Sequence, residues 1–244
     1  MNSFLIAIQF LTRIPVNIKD PIEDNDLINS VYFYPLIGLI IGIILTAFNF
    51  ILVDLVPFGA RAAILIVILV FLSGGLHLDG FMDTVDGLGS GASRAKALEI
   101  MRDSNSGAFG VIGVVLLLLL KLTFLQSFSS QSLPGILLVL PVVSRWAVVA
   151  AMPLADYARS GFGLGKVLVN SVGWKETLFT LMFTLIVSII LTGLISFILI
   201  FFVFLFLLVW TGYLNKKIGG ITGDTLGATI EITELLVLFI LLVL

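Results

Sequence analysis

Three aspartates, Asp79, Asp83 and Asp86, stand at i, i+4 and i+7 in the stretch His77–Gly91, HLDGFMDTVDGLGSG. At about 100° per residue they share one helical face. Carboxylates gathered with no cation between them repel one another, and the arrangement becomes favourable when a divalent metal sits among them. The chain has no cysteine and a single histidine, so thiolate and multi-histidine sites within one chain are excluded. The metal expected is a hard one held by carboxylates, Mg²⁺ or Mn²⁺. The Gly-Leu-Gly-Ser-Gly that follows can bring backbone N–H groups close to phosphate oxygens. A solvated acidic helix end is the competing reading, but solvated faces usually mix both signs and this one does not. His77 is either a general base or a structural hydrogen bonder.

The same polar segment continues to Arg102-Asp103-Ser104-Asn105. Arg102 can clamp a phosphate, because a guanidinium matches phosphate bidentately. Asp103 is a candidate fourth metal ligand, and with Ser104 and Asn105 it packs polar side chains just before a span, which favours a functional role. Lys96 and Glu99 read as an ordinary helix-surface pair. A second acidic set, Asp224, Glu231 and Glu234, falls near one face of the final helix. An acid at a membrane helix centre costs about 2.5–3.5 kcal/mol on insertion scales, so these should face the protein interior. The helix dipole alone accounts for Asp224 but not for the two glutamates further in. Lys121 and Arg145 lie within apolar runs. Lys121 snorkels or pairs. Arg145 either pairs with Glu231 or Glu234 across the bundle or binds a substrate phosphate.

The elements that must carry these residues are membrane helices. The 244 residues are 59% hydrophobic and 11% charged, against roughly 25% charged in soluble domains, and a chain of this size has no core large enough to hide the excess. Runs long enough to span occur at Val31–Val53, Ala60–Gly75, Ala108–Gln126, Leu133–Met152 and Thr177–Leu214, the last as two spans turning near Gly193, with a final span ending in Leu235–Leu244. A span needs about 20 apolar residues. The fold expected is all-α: one polytopic domain, residues 1–244, of about seven transmembrane helices. The apolar Phe4–Leu11 is too short to cross and reads as an interfacial or re-entrant segment. The N-terminus lacks the basic start and small-residue cleavage site of a signal peptide. With the N-terminus inside, ten of the 13 basic residues fall on the cytoplasmic side and only Arg61 outside, Lys121 and Arg145 being within spans. That bias orients the chain and predicts cytoplasmic loops at Gly74–Ser106, Pro153–Lys175 and Asn215–Glu231. Of the 15 acids only Asp54 falls outside. No basic stripe suggests nucleic acid.

Several stretches together resemble the cobalamin synthase family, the adenosylcobinamide-GDP ribazoletransferases: FLTRIPV (Phe10–Val16), GGLHLDGFMDTVDGLGSG (Gly74–Gly91), EIMRDSNSGAFGV (Glu99–Val111), RSGFGLG (Arg159–Gly165) and GGITGDTLGATIEITE (Gly219–Glu234). They occur in family order over almost the whole chain. The resemblance implies a cell-membrane, multi-pass enzyme with its site on the cytoplasmic side. It would join adenosylcobinamide-GDP to α-ribazole or its 5′-phosphate and release GMP in coenzyme B12 biosynthesis. Mg²⁺ among Asp79, Asp83 and Asp86 would bind the diphosphate, and Asp103 or His77 would accept the proton. Arg13, Arg102, Arg145 and Arg159, with Ser104, Asn105, Asp224, Glu231 and Glu234, are the substrate-binding candidates. Oligomeric state is left open. A CDP-alcohol phosphotransferase shares the leaving-group logic, but its pattern has an Ala-Arg pair two residues after the first Asp-Gly, where this chain has Phe-Met-Asp after Asp79-Gly80. A cation transporter should carry acids at mid-span depth on several helices, whereas these cluster at one boundary.

Overall fold

A computed structural model describes residues 2–18, 21–161 and 163–244. Among the described residues twelve α-helices follow one another: α1 (Asn2–Leu11), α2 (Asp24–Ser30), α3 (Tyr34–Leu52), α4 (Phe58–Ser73), α5 (Leu76–Gly89), α6 (Arg94–Ile100), α7 (Ala108–Gln126), α8 (Leu133–Ala151), α9 (Leu164–Ser171), α10 (Trp174–Thr192), α11 (Ile195–Ile218) and α12 (Gly223–Val243). Among the described residues six stretches are long and apolar enough to cross a membrane, and α4 with α5 makes a seventh if the pair counts as one span. The chain is a polytopic helical membrane protein.

The bundle is organised around α8. Inside the bundle 89% of its spanning window is buried, against 22% for α7 and for α10, and a helix apolar all round is one enclosed all round. Its nearest partner is α3. Gly38 and Gly42 lie one turn apart, and a Cβ on Gly38 would come 2.3 Å from the Pro141 carbonyl oxygen and one on Gly42 2.8 Å from that of Leu137. Small residues at this spacing let two backbones touch where lipid provides no hydrophobic drive. Pro141 has no amide hydrogen to give the Leu137 carbonyl, so the glycine face meets the part of α8 whose own ladder is interrupted.

The second span ends on two consecutive left-handed glycines, Gly74 at φ 65° and Gly75 at φ 72°. Their N–H groups close the helix on the carbonyls of Phe71 and Val70, each at 3.0 Å, a glycine C-cap. The chain then turns through 90° into α5. At 16 residues, α4 rises about 24 Å, and α5 is left as a helix at the membrane boundary.

Two expectations about loops need correcting. The segment Gly74–Ser106 is mostly helix, α5 and α6. The last span is not preceded by a loop reaching Glu231: α11 runs on to Ile218 and α12 starts at Gly223, so Glu231 and Glu234 lie well inside a helix. Both acids are buried there and neutralised by partners, which is how a helix rich in polar residues at its start still spans. The N-terminal segment is the short helix α1, which packs on α2 and α3.

Candidate active site

The helix α5 crosses the start of α12 at close range because glycines stand at the crossing. A Cβ on Gly80 would lie 2.8 Å from the Asp224 carbonyl oxygen, and one on Gly227 3.3 Å from the His77 backbone. This contact brings Asp224 alongside Asp79 and Asp83. Burial, with the Asp79 and Asp224 charges adding to it, pushes the Asp83 carboxyl up to about 6. Asp79 is exposed, Asp83 half-buried and Asp86 buried.

Asp86 does something different from its neighbours. Its Oδ2 accepts from the Gly107 N–H and its Oδ1 from the Gly110 N–H, both at 2.8 Å. It therefore caps the start of α7, satisfying amides the helix cannot pair itself and meeting the positive end of its dipole. Glycine is needed at both positions, since a Cβ at either would lie 2.3 Å from the Asp86 carboxylate. Among the described residues no group of three His, Cys, Asp or Glu side chains is disposed around one ion position. The three-aspartate cage expected from the spacing is thus not preformed, because one of the three is committed to α7.

Beside these acids is a cavity of about 210 Å³ whose wall includes Phe10, Tyr34, His77, Asp79, Met152 and Asp224. Its lining is mainly apolar, with the carboxylates at one side. His77 is buried and its Nδ1 has no hydrogen-bond partner. Arg13 lies just outside, its side chain laid over Gly74 at the bend, with its N–H donated to the Leu72 carbonyl at 2.7 Å.

Arg159 Nη2 donates to Asp224 Oδ2 at 2.5 Å and to the Met101 carbonyl at 3.3 Å. A short parallel bridge sets this loop. The Ala158 N–H reaches the Ile221 carbonyl at 2.8 Å, and the Ile221 N–H reaches that of Asp156 at 2.9 Å. Gly220, at φ 138°, makes room, since a Cβ there would lie 2.0 Å from the Asp156 oxygen. On the far side of the Arg159–Asp224 pair is an open groove of about 400 Å³ lined by Arg94, Arg102, Arg159, Glu99 and Ser160. Arg94 was not a candidate from sequence, where nothing separates it from a basic residue that merely sets orientation.

The remaining candidates lie elsewhere. Asp103, Ser104 and Asn105 form an exposed turn, Asp103 Oδ1 accepting from the Asn105 backbone at 3.0 Å and side chain at 2.8 Å. The backbone bond first, and the side-chain bond after it, hold the Asp103 carboxyl below its usual range, which makes it a weaker base. None of the three lines the cavity or the groove. Arg145, Glu231 and Glu234 sit within the bundle. Arg145 pairs with Glu234 and not with Glu231, and Lys121 Nζ reaches Glu231 Oε2 at 2.5 Å and Glu234 Oε2 at 2.7 Å. Of the two readings open for Arg145, the ion pair is the one found, and Lys121 pairs rather than snorkels.

Comparison with known proteins gives this arrangement a family. The profile described as CobS, cobalamin-5-phosphate synthase, matches residues 3–242. A protein of Acetivibrio thermocellus named adenosylcobinamide-GDP ribazoletransferase is 38% identical over 243 residues, covering 99% of this chain and 98% of its own length. Relatives of the same name in Caldanaerobacter subterraneus subsp. tengcongensis and Alkaliphilus metalliredigens are 35% and 38% identical, over 97% and 100% of this chain and 96% of their own length in each case. No solved structure matches. With agreement running nearly end to end on both sides, the chain belongs to the cobalamin-5-phosphate synthase family.

Proposed function

We propose that this protein is an adenosylcobinamide-GDP ribazoletransferase, working at the cytoplasmic face of the cell membrane. The observation that carries the reading is an apolar cavity walled by Asp79 and Asp224 beside an arginine-lined groove, the two joined through the Arg159–Asp224 pair. A hydroxyl of α-ribazole or its 5′-phosphate attacks the phosphorus bonded to cobinamide. The phosphoanhydride to the second phosphorus breaks, and GMP leaves with the bond's electron pair. The apolar cavity suits the flat base of the ribazole and keeps water from the attacked phosphorus. Asp79, on the cavity wall, is placed to take the hydroxyl proton on a carboxylate oxygen, and His77 to orient that hydroxyl by a hydrogen bond.

Mg²⁺ belongs to the proposal in a form narrower than the spacing suggested. A carboxyl whose charge is resisted by burial and by three like neighbours, as that of Asp83 is, gains most from a divalent cation. Mg²⁺ commonly takes only one or two protein carboxylates, completing its shell with substrate phosphates and water. Asp83 would hold it and Asp86 would not. When bound it would supply charge stabilisation on the diphosphate oxygens.

The test is release of GMP by purified protein given adenosylcobinamide-GDP and α-ribazole, with Mg²⁺ and in excess chelator. GMP should appear in step with corrinoid product, chelator should stop it, and Asp83→Asn should lower turnover by about 10²-fold or more. Absence of GMP from well-folded protein would end the reading. Full turnover in chelator would end the metal part alone.

A further inference from the structure

The groove beyond the Arg159–Asp224 pair is built more deliberately than a solvated basic surface. Its guanidinium groups come from two separate segments, Arg94 at the start of α6 and Arg102 just after its end, and Arg159 in the loop clamped by the Tyr157–Ile221 bridge. Arg94 is held in place from two sides. It lies against Gly219, at φ 78°, where a Cβ would stand 2.1 Å from Arg94 Cζ, and its Nη2 reaches the Ala158 carbonyl at 3.5 Å. Among the described residues neither Arg94 nor Arg102 has a carboxylate partner, while Glu99, the one acid on the groove wall, is paired with Lys96 at 2.8 Å. The groove thus offers two unspent guanidinium groups, and a third shared with Asp224, to an anion with several acceptor oxygens. Phosphate is the anion whose geometry a planar guanidinium fork matches.

We propose that Arg94, Arg102 and Arg159 form the subsite for the terminal phosphate of the nucleotide that the donor gives up, so that nucleoside monophosphate leaves through this groove and not through the apolar cavity. The inference rests on the reading under Proposed function for the identity of that nucleotide. The donor's diphosphate would then bridge the Arg159–Asp224 pair, with its cobinamide phosphorus on the cavity side and its nucleotide phosphorus on the groove side. Arg159 is placed to exchange part of its contact with Asp224 for the phosphate as charge builds on the leaving oxygen.

The experiment measures GMP binding directly, by titration calorimetry on protein in nanodiscs of neutral phosphatidylcholine, for the native chain, Arg94→Gln and Arg94→Lys. Arg94 is exposed, and thermal melting checks that each variant is folded. Arg94→Gln should weaken GMP binding about tenfold, the scale of one lost charge-assisted hydrogen-bonding group, with Arg94→Lys recovering part of it. In turnover, Arg94→Gln should raise the KM for the donor and the inhibition constant for GMP together while leaving the KM for α-ribazole unchanged. Equal GMP affinity in native protein and Arg94→Gln would overturn the subsite. An anionic lipid headgroup could use the same guanidinium groups. If adding phosphatidylglycerol competes with GMP in native protein and not in Arg94→Gln, both ligands use the subsite. If phosphatidylglycerol binding depends on Arg94 while GMP binding does not, the groove is a lipid site and the proposal falls. Binding needs no turnover, so Arg94-dependent GMP binding without transfer would sink the reaction and keep the subsite, whereas transfer with Arg94-independent GMP binding would do the reverse.

Discussion

Glu234 meets two cations at once, Arg145 through Oε1 and Lys121 through Oε2, while Lys121 also holds Glu231. Two positive and two negative charges are thereby balanced inside the bundle, with Arg145 at 0% exposure. Removing one partner from a buried pair costs about 3–5 kcal/mol, because the other is left charged and dry. Arg145→Met leaves Lys121 against two glutamates, but Arg145→Met with Glu234→Gln leaves Lys121 against Glu231 alone. The double variant should therefore melt above the single one in detergent. A double variant no more stable than Arg145→Met would refute the balance. These charges were legible from sequence because an ion within an apolar run needs a partner, and the candidate list was short. Asp86 was not legible in the same way. The i, i+4, i+7 spacing puts three side chains on one face, but a face about 60° wide can still touch two different neighbours. Only the position of α7 decides that the third aspartate caps a helix.

At the scale of elements, close crossings carry the architecture. The α3–α8 contact depends on Gly38 facing the Pro141 carbonyl, and the obstructing atoms are backbone in the most enclosed helix, so relief by a side-chain shift is not available. Gly38→Ala should cost at least the 1–3 kcal/mol typical (about that range) of overpacking. Gly212→Ala on α11 has open space around it and should be neutral or slightly stabilising through helix propensity. Melting temperatures of the two variants check this, and equal melting would show that the crossing has slack. Most spans could be read from the sequence, since about 20 apolar residues leave few alternatives. The helical face of α5 was legible in the aspartate spacing, but its extent was not, because a helix half in contact with polar surroundings has the mixed composition of a loop. The early start of α12 was hidden for a related reason: the polar run from Gly223 has the composition of a loop, although its glutamates were already read as facing the interior.

For the molecule as a whole, the cavity, the groove and the Asp86 cap lie at one end of the bundle, and Arg61, donating to Ser130 Oγ at 3.1 Å, marks the other. The ten-to-one distribution of basic residues predicts that the first end is cytoplasmic. A chain without native cysteine can be tested by single substitutions. In intact cells an impermeant thiol reagent should label Gln131→Cys and spare Ser93→Cys. The opposite pattern would invert the topology and move the proposed chemistry to the wrong side for its substrates. Orientation is legible because it depends on a summed charge that needs no knowledge of contacts. Which helix is central is not, since α8 differs little in apolar content from helices that face lipid, and enclosure is a property of its neighbours.

The buried charge cluster has a consequence in time. Translation runs from the N-terminus, so Lys121 is made 110 residues before Glu231 and Arg145 is made 89 residues before Glu234. Until α12 emerges, two cations bound for membrane depth have none of their final partners, at a cost that disfavours settling there. The charges therefore favour a newborn bundle that closes around α8 only when the last helix arrives, and a chain lacking α12 would leave Lys121 and Arg145 without their carboxylates.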